Sequence, residues 1–424
     1  VLAVRRPLVR VVNAEGTAAR ALAVCGYVAL AVGILFLRRP DAILHPQFWA
    51  EDGKVYFADA YNRGLDTVLA PGAGYLVLAP RAAALLGQPL GLAAAPVLFN
   101  LIGLAVQLAP ALLILSARFG RAIPSPRVRA LAGLLYLLVP NPELHATVTN
   151  AQWHLALLMC MVVAASPPRG IAWRCFDVAV LTVGGLSGPL VLVVAPLALV
   201  RWITSRQGWY GVLGAVASVV ALVQLEVIHG AGRSGMALGA GVRSLIRILA
   251  DRVIVPGLTG SQDAALFSLH WWHGLLWASL LVLAAVALGA YAVLRGPAEL
   301  RVVLAFSAAS LTLALINPLI VLVGPQWPPM VTGEAGQRYF LIPTVGFLVL
   351  VLWGLSRLPR PPRAAVGALL AVLLVAGTAT HPQYPSLPDL HPAASAADLA
   401  AAPQGTVVEI PLNPGGWSMS LRRH

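Results

Sequence analysis

Lysine is nearly absent from this chain of 424 residues: of 29 basic residues only Lys54 is a lysine, and the rest are arginines. Charge of either sign is scarce. Only 11% of residues are charged and 59% are hydrophobic, where a soluble domain is about a quarter charged. That excludes a soluble fold, because no single core grows large enough to hold so much apolar chain. Cysteine is scarce too. Cys25, Cys160 and Cys175 are odd in number, two of them lie in apolar runs, and no CxxC occurs. A disulfide framework and a cysteine metal site are therefore excluded. The chain has no GxxxxGK[ST] loop and no GxGxxG after a strand, which leaves no cytosolic nucleotide-binding module. The net charge of +13 does not point to nucleic acid. The arginines sit in short clusters between apolar runs, as topology signals do.

What is present is a succession of long apolar runs with a mean hydropathy of +0.81, the pattern of an all-α polytopic membrane protein. The expected spans are 20–37, 92–117, 129–147, 151–166, 208–228, 274–294, 302–324, 341–357 and 364–380. The first follows an Arg-rich lead without a small-residue cleavage site and reads as a retained helix. Residues 74–87 are apolar but short and carry Arg81, so they read as a re-entrant or interfacial helix.

Residues 176–200 have arginines on both flanks, so they must enter and return, with GGLSGP at 184–189 as the turn. Each arm is about 12 residues, or about 18 Å at the helical rise, too short to cross a core of about 30 Å. Such a hairpin has its tip buried among helices or open to a water-filled cavity.

Counting the hairpin as two gives 11 segments, with the N-terminus cytoplasmic and the C-terminus outside. Cytoplasmic loops then carry 17 basic and 3 acidic residues, and the outer face carries 12 basic and 13 acidic. That asymmetry follows the positive-inside rule and fits a bacterial inner (plasma) membrane. The long connections fall outside: 38–73, 229–273, 325–340 and a Pro-rich tail at 381–424, with a short strand at Thr406 to Ile410. The organisation is therefore one multi-span domain, 1–380, and an extracytoplasmic tail.

The first outer loop contains HPQFWAEDGKVYFADAYNRG, residues 45–64. If 47–61 is helical, Asp52 shares a face with Trp49, Tyr56, Asp59 and Arg63, while Glu51 points away and can pair with Lys54. Partial desolvation on that aromatic stripe would raise the pKa of Asp52 and suit it to accept a proton. The choice of Asp52 over Glu51 as base depends on the loop being helical.

A carboxylate pair in the first outer loop, directly after the first span, resembles the GT-C superfamily of integral membrane glycosyltransferases. Those enzymes carry a modified DxD-type motif there, which in this chain stands as Glu51-Asp52 within FWAEDG. The segment count and short embedded helices are similar. The large soluble C-terminal domain of some branches is missing, which places the resemblance with small members that transfer one sugar. The resemblance implies a polyprenyl-phosphate-linked sugar donor, a lipid-linked or envelope glycan acceptor, membrane lipids as surroundings, and inversion at the anomeric carbon. A divalent cation could be shared by the pair, and nothing in the sequence requires one.

Two further segments on the outer face supply candidate substrate contacts. GEAGQRYFLIP, residues 333–343, puts Arg338 at the outer start of a span, with Gln337 and Tyr339 beside it. An arginine there can hold a phosphate, and the resemblance implies the same role. PNPELHATVTNAQWHLALL, residues 140–158, gathers Glu143, His145, Asn150, Gln152, Trp153 and His154, polar groups and a stacking platform suited to a sugar. Arg243, Arg247 and Arg252 recur at near-helical spacing, as on an amphipathic helix lying on the bilayer. The cluster at His270 to His273 reads as an interfacial Trp anchor.

Two other functions are carried alongside. A transporter or flippase would show ionisable residues in mid-span and repeated halves, and here nearly all ionisable residues lie at span ends. A non-catalytic partner in envelope polysaccharide assembly would make Glu51 and Asp52 replaceable.

Overall fold

The computed structural model describes residues 5–231, 236–262, 274–333 and 335–424, with side chains from Ala18 onward. Among these, seven helices are long and apolar enough to cross a membrane: Ala18–Arg38, Leu78–Leu113, Gly208–Gly230, Gly274–Arg295, Ala298–Ile316, Gln337–Arg357 and Arg360–Thr380. The chain is thus a mostly helical, multi-pass membrane protein, as its composition demands: in lipid every backbone polar group must find its partner within the segment. The cluster at His270 to His273, expected as an interfacial anchor, lies outside the described residues.

Burial sorts the helices into layers. None of Arg360–Thr380 and little of Gly274–Arg295 is buried, so these apolar helices form the lipid-facing periphery. Ala151–Ala164 is the opposite case. Twelve of its fourteen residues are buried, so it is hydrophobic all round and occupies the centre. Around it pack Gly91–Leu113, Ile171–Gly185, Val191–Ser205 and Ala298–Ile316.

The return hairpin is present as the helices Ile171–Gly185 and Val191–Ser205. Its tip is buried. Leu186 O accepts from Leu78 N at 2.9 Å, and Ser187 Oγ accepts from Ala79 N at 2.9 Å. Gln224, fully buried, donates through Nε2 to Leu76 O at 3.1 Å and to Gly185 O at 2.8 Å. On the first of these helices, Arg118 clasps Asp177 with two bonds of 2.6 and 2.8 Å, and the Trp209 indole donates to the same carboxylate at 3.0 Å.

Several boundaries differ from expectation, each for a backbone reason. The span expected at 129–147 is the helix Pro126–Leu138. Pro140 and Pro142 cannot extend it, and 139–150 is irregular. Likewise 302–324 is Ala298–Ile316, because Asn317-Pro318 ends the helix. Residues 74–87 give the helix Leu78–Gly87, whose Arg81 is only 2% exposed. That side chain bonds Asp59 at 2.7 Å and the carbonyl of Ala70 at 3.2 Å, so it braces the connection 38–73 from within and is not an exposed interfacial arginine.

The tail departs most from the all-helical expectation. It forms the helix Pro392–Ala401 and a hairpin of β1 (Val407–Leu412) and β2 (Trp417–Arg422), with Val407 opposite Arg422 and Leu412 opposite Trp417. The hairpin docks on the connection 38–73. Asn413 O accepts from Ala50 N at 2.5 Å, and Asn62 Nδ2 donates to Ser420 O at 2.9 Å. Leu412 fits where Gly53 has no side chain, since a Cβ there would lie 2.7 Å from it.

Candidate functional site

The Glu51-Asp52 segment is not one continuous α-helix. Residues Asp52–Phe57 make a π-helical turn, followed by the α-helix Ala58–Arg63; such turns are frequent at functional sites. Trp49 lies before it and bridges Asn413 of the tail, so it does not share the face of Asp52. Lys54 does not pair with Glu51: its Nζ stands 5.1 Å from the Trp417 ring centroid. Asp59 pairs with Arg81.

Asp52 is 1% exposed. Its Oδ2 accepts from Val148 N at 3.1 Å and its Oδ1 from Thr149 N at 2.7 Å. Burial pushes its carboxyl up to about 8; the two amides oppose the rise and neighbouring Glu51 adds to it. Glu51 is half-buried and the more accessible of the pair. Both partners of this contact follow an alanine in the left-handed region, Ala50 with φ 42° and Ala146 with φ 57°. Non-glycine residues rarely adopt that conformation, and such outliers cluster at sites where geometry is held by the surroundings. The loop can lie close to the helix Gly91–Leu113 only because residue 103 is glycine. A Cβ there would sit 2.8 Å from the backbone of Ala146 and Thr147.

The same irregular segment reaches Arg338 at its other end. Glu143 accepts from the Arg338 side chain and, at 3.0 Å, from the Arg338 backbone N–H. Asn141 Nδ2 donates to Gln337 O at 2.9 Å. Arg338 also donates to Leu319 O at 2.6 Å, and the Tyr339 hydroxyl accepts from Leu319 N at 3.0 Å. The helix break at Asn317-Pro318 leaves those backbone groups of Leu319 available.

Other expected contacts divide into two sets. Gln152 donates to the Tyr75 hydroxyl at 3.1 Å, Asn150 donates to Glu143 O at 2.9 Å, and Trp153 meets Tyr339 edge-to-face at 5.3 Å. These lie between the two ends of the site. Tyr56 is buried beside Thr149 and Tyr75, and burial raises its pKa. His145 and His154 are instead interior groups, 1% and 2% exposed. His145 packs on Tyr384 of the tail and is held neutral, pushed down to about 3 by burial and then by Arg39. His154 Nδ1 lies 2.7 Å from the Tyr136 hydroxyl.

Glu143 was visible in the sequence as one polar residue among several, but its pairing with Arg338, 195 positions away, was not. The Pro140-Asn141-Pro142 turn was the available signal that backbone amides would be freed here. Among the described residues, no group of three or more His, Cys, Asp and Glu side chains gathers where a metal ion could be held.

Compared with models of known protein families, with curated proteins and with solved structures, the chain matches none of them.

Proposed function

We propose that this protein is a glycosyltransferase of the GT-C type, with eleven membrane segments and its active site on the outer face of a bacterial inner membrane. It moves one sugar from a polyprenyl-phosphate donor to a cell-envelope glycan or glycolipid. One observation carries the reading. The segment 140–154 is bonded to Asp52 through Val148 and Thr149, to Arg338 through Glu143 and to the neighbouring Gln337 through Asn141, so a carboxylate and a cation are held on one scaffold.

The chemistry needs both. The acceptor hydroxyl oxygen forms a bond to the anomeric carbon while the bond from that carbon to the phosphate oxygen breaks. The phosphate departs with the electron pair, and Asp52 receives the hydroxyl proton. A carboxyl raised to about 8 is a stronger base than an ordinary aspartate, and a positioned base contributes roughly 10²–10⁴ in rate. Arg338 offers its guanidinium to the departing phosphate, a stabilisation that grows with the charge on the leaving group. Glu51 meets the acceptor from the more accessible side.

A second reading is favoured by the burial of Asp52 and by the capture of both its oxygens by backbone amides. A carboxylate so held can serve only to fold the loop, which fits a non-catalytic partner in envelope polysaccharide assembly. Membranes containing the protein, given labelled polyprenyl-phosphate sugars and endogenous acceptor, decide between them. Transfer that falls on Arg338→Met supports the enzyme. Transfer indifferent to the protein's presence, with acceptor verified, supports the assembly partner.

A further inference from the structure

Two arginines and one carboxylate meet beside the turn Gln337–Phe340. Arg338 holds Glu143 through its side chain and its backbone N–H. From the other side comes Arg252, in the π-helical turn Ala250–Ile254, with its guanidinium carbon 5.2 Å from the Phe340 ring centroid. Arg252 is 6% exposed, yet its Nε and Nη2 have no hydrogen-bond partner among the described residues. A buried guanidinium with unused N–H groups is an unfavourable arrangement, so a state in which those groups are paired is to be sought.

The surroundings say what would pair them. Arg252 lines a small cavity with Asn141, Gln262, Gln337 and Thr344. Asn141 donates to Gln337 O, which fixes its amide and leaves its Oδ1 unpartnered. Gln337, which also lines the cavity, precedes Arg338, the residue that holds the Glu143 carboxylate. Of the two acids acting on Arg252, Glu143 acts more strongly than the adjacent Asp251. One carboxylate thus stands within the field of both arginines and is bonded to the less buried one.

We propose that Glu143 is a displaceable counter-ion: an incoming phosphate takes its place on Arg338, and Glu143 turns to Arg252. This rests on the reading of Arg338 as the phosphate site. A phosphodiester carries one negative charge, as Glu143 does, so the exchange on Arg338 is balanced in charge. The gain is the ion pair that Arg252 forms afterwards. A neutral lipid has nothing to exchange and leaves the pair closed, so Glu143 acts as a selectivity element for anionic donors.

The test measures binding of farnesyl methyl phosphate, a phosphodiester with one negative charge, with farnesol as the neutral control, to the purified full chain in detergent by intrinsic tryptophan fluorescence. It uses wild type, Glu143→Gln, Arg252→Leu, the double variant and Arg338→Met, each first shown to unfold cooperatively on heating. Removing the competitor should tighten binding about tenfold in Glu143→Gln, as expected when a closed fraction is released. Arg252→Leu should weaken binding in the wild-type background and leave it unchanged in the Glu143→Gln background. Farnesol should show no dependence on either residue.

Weaker binding in Glu143→Gln would overturn the proposal, because Glu143 would then only orient Arg338. Equal weakening by Arg252→Leu in both backgrounds would also overturn it, because Arg252 would then touch the ligand itself. Binding lost in Arg338→Met but indifferent to Glu143 keeps the phosphate site and removes the exchange. No binding in wild type and Glu143→Gln alike removes both.

Discussion

Asp52 and Thr149 are 97 residues apart in the chain and joined by a hydrogen bond of 2.7 Å. With the neighbouring bond from Val148, it ties the connection 38–73 to the segment that also holds Arg338. That tie places the two charges the proposed transfer needs on one piece of backbone. It also places Asp52 where water scarcely reaches, and this governs its titration.

The pH dependence follows from that burial. Asp52 titrates near 8 in the folded chain and near 3.8 as a free side chain. Between those values the folded state holds a proton that the unfolded state has lost. The stabilisation is complete below about 3.8 and falls away as pH rises towards about 8, with a slope approaching about 1.4 kcal/mol per pH unit. Thermal unfolding in detergent should therefore show a Tm that declines across this window, and Asp52→Asn should flatten the decline. Transfer should run the other way, rising with pH as Asp52 ionises. A Tm profile that is identical in Asp52→Asn and wild type would contradict the titration.

The clasp of Arg118 on Asp177 gives a second test. Asp177 is fully buried and takes two bonds from Arg118 and one from Trp209. Asp177→Asn leaves a buried guanidinium without its counter-ion, which costs about 3–5 kcal/mol. The expected result is a large drop in Tm and in yield from membranes. A Tm within a degree or two of wild type would show that the clasp is not structural.

The docked tail gives a third. Leu412 is 4% exposed and fills the space above Gly53. Leu412→Ala should cost about 2–5 kcal/mol locally, loosening the hairpin. Limited proteolysis of the tail should accelerate, with transfer reduced because Ala50, next to Glu51, bonds to Asn413. Unchanged proteolysis would mean that the docking does not depend on this contact.

The membrane helices were legible because length and apolar content alone specify them, and the return hairpin was legible because arginines flank it on both sides. The irregular segment 139–150 was not, since LHATVT continues the apolar character of the preceding helix. Only the two prolines mark the break. The strand pair in the tail was half visible: β1 alternates in exposure, but its partner Trp417–Arg422 is polar enough to pass for loop. Asp52, Glu51, Gln152, Trp153, Arg338 and Tyr339 each stood out by residue type and by place in or beside the connections between apolar runs. That Lys54 stacks on Trp417, that Arg252 is buried, and that Glu143 answers Arg338 are contacts across long separations that local pattern does not encode.

The most direct measurement uses membranes containing wild type, Asp52→Asn or Glu51→Gln at matched expression. Each is offered a panel of radiolabelled polyprenyl-phosphate sugars, and the label transferred to endogenous acceptor is counted. Wild type is predicted to transfer label from at least one donor, and Asp52→Asn to lose that transfer by roughly 10²-fold or more. Equal transfer by all three proteins would contradict the account, because the carboxylate pair would then have no part in the chemistry.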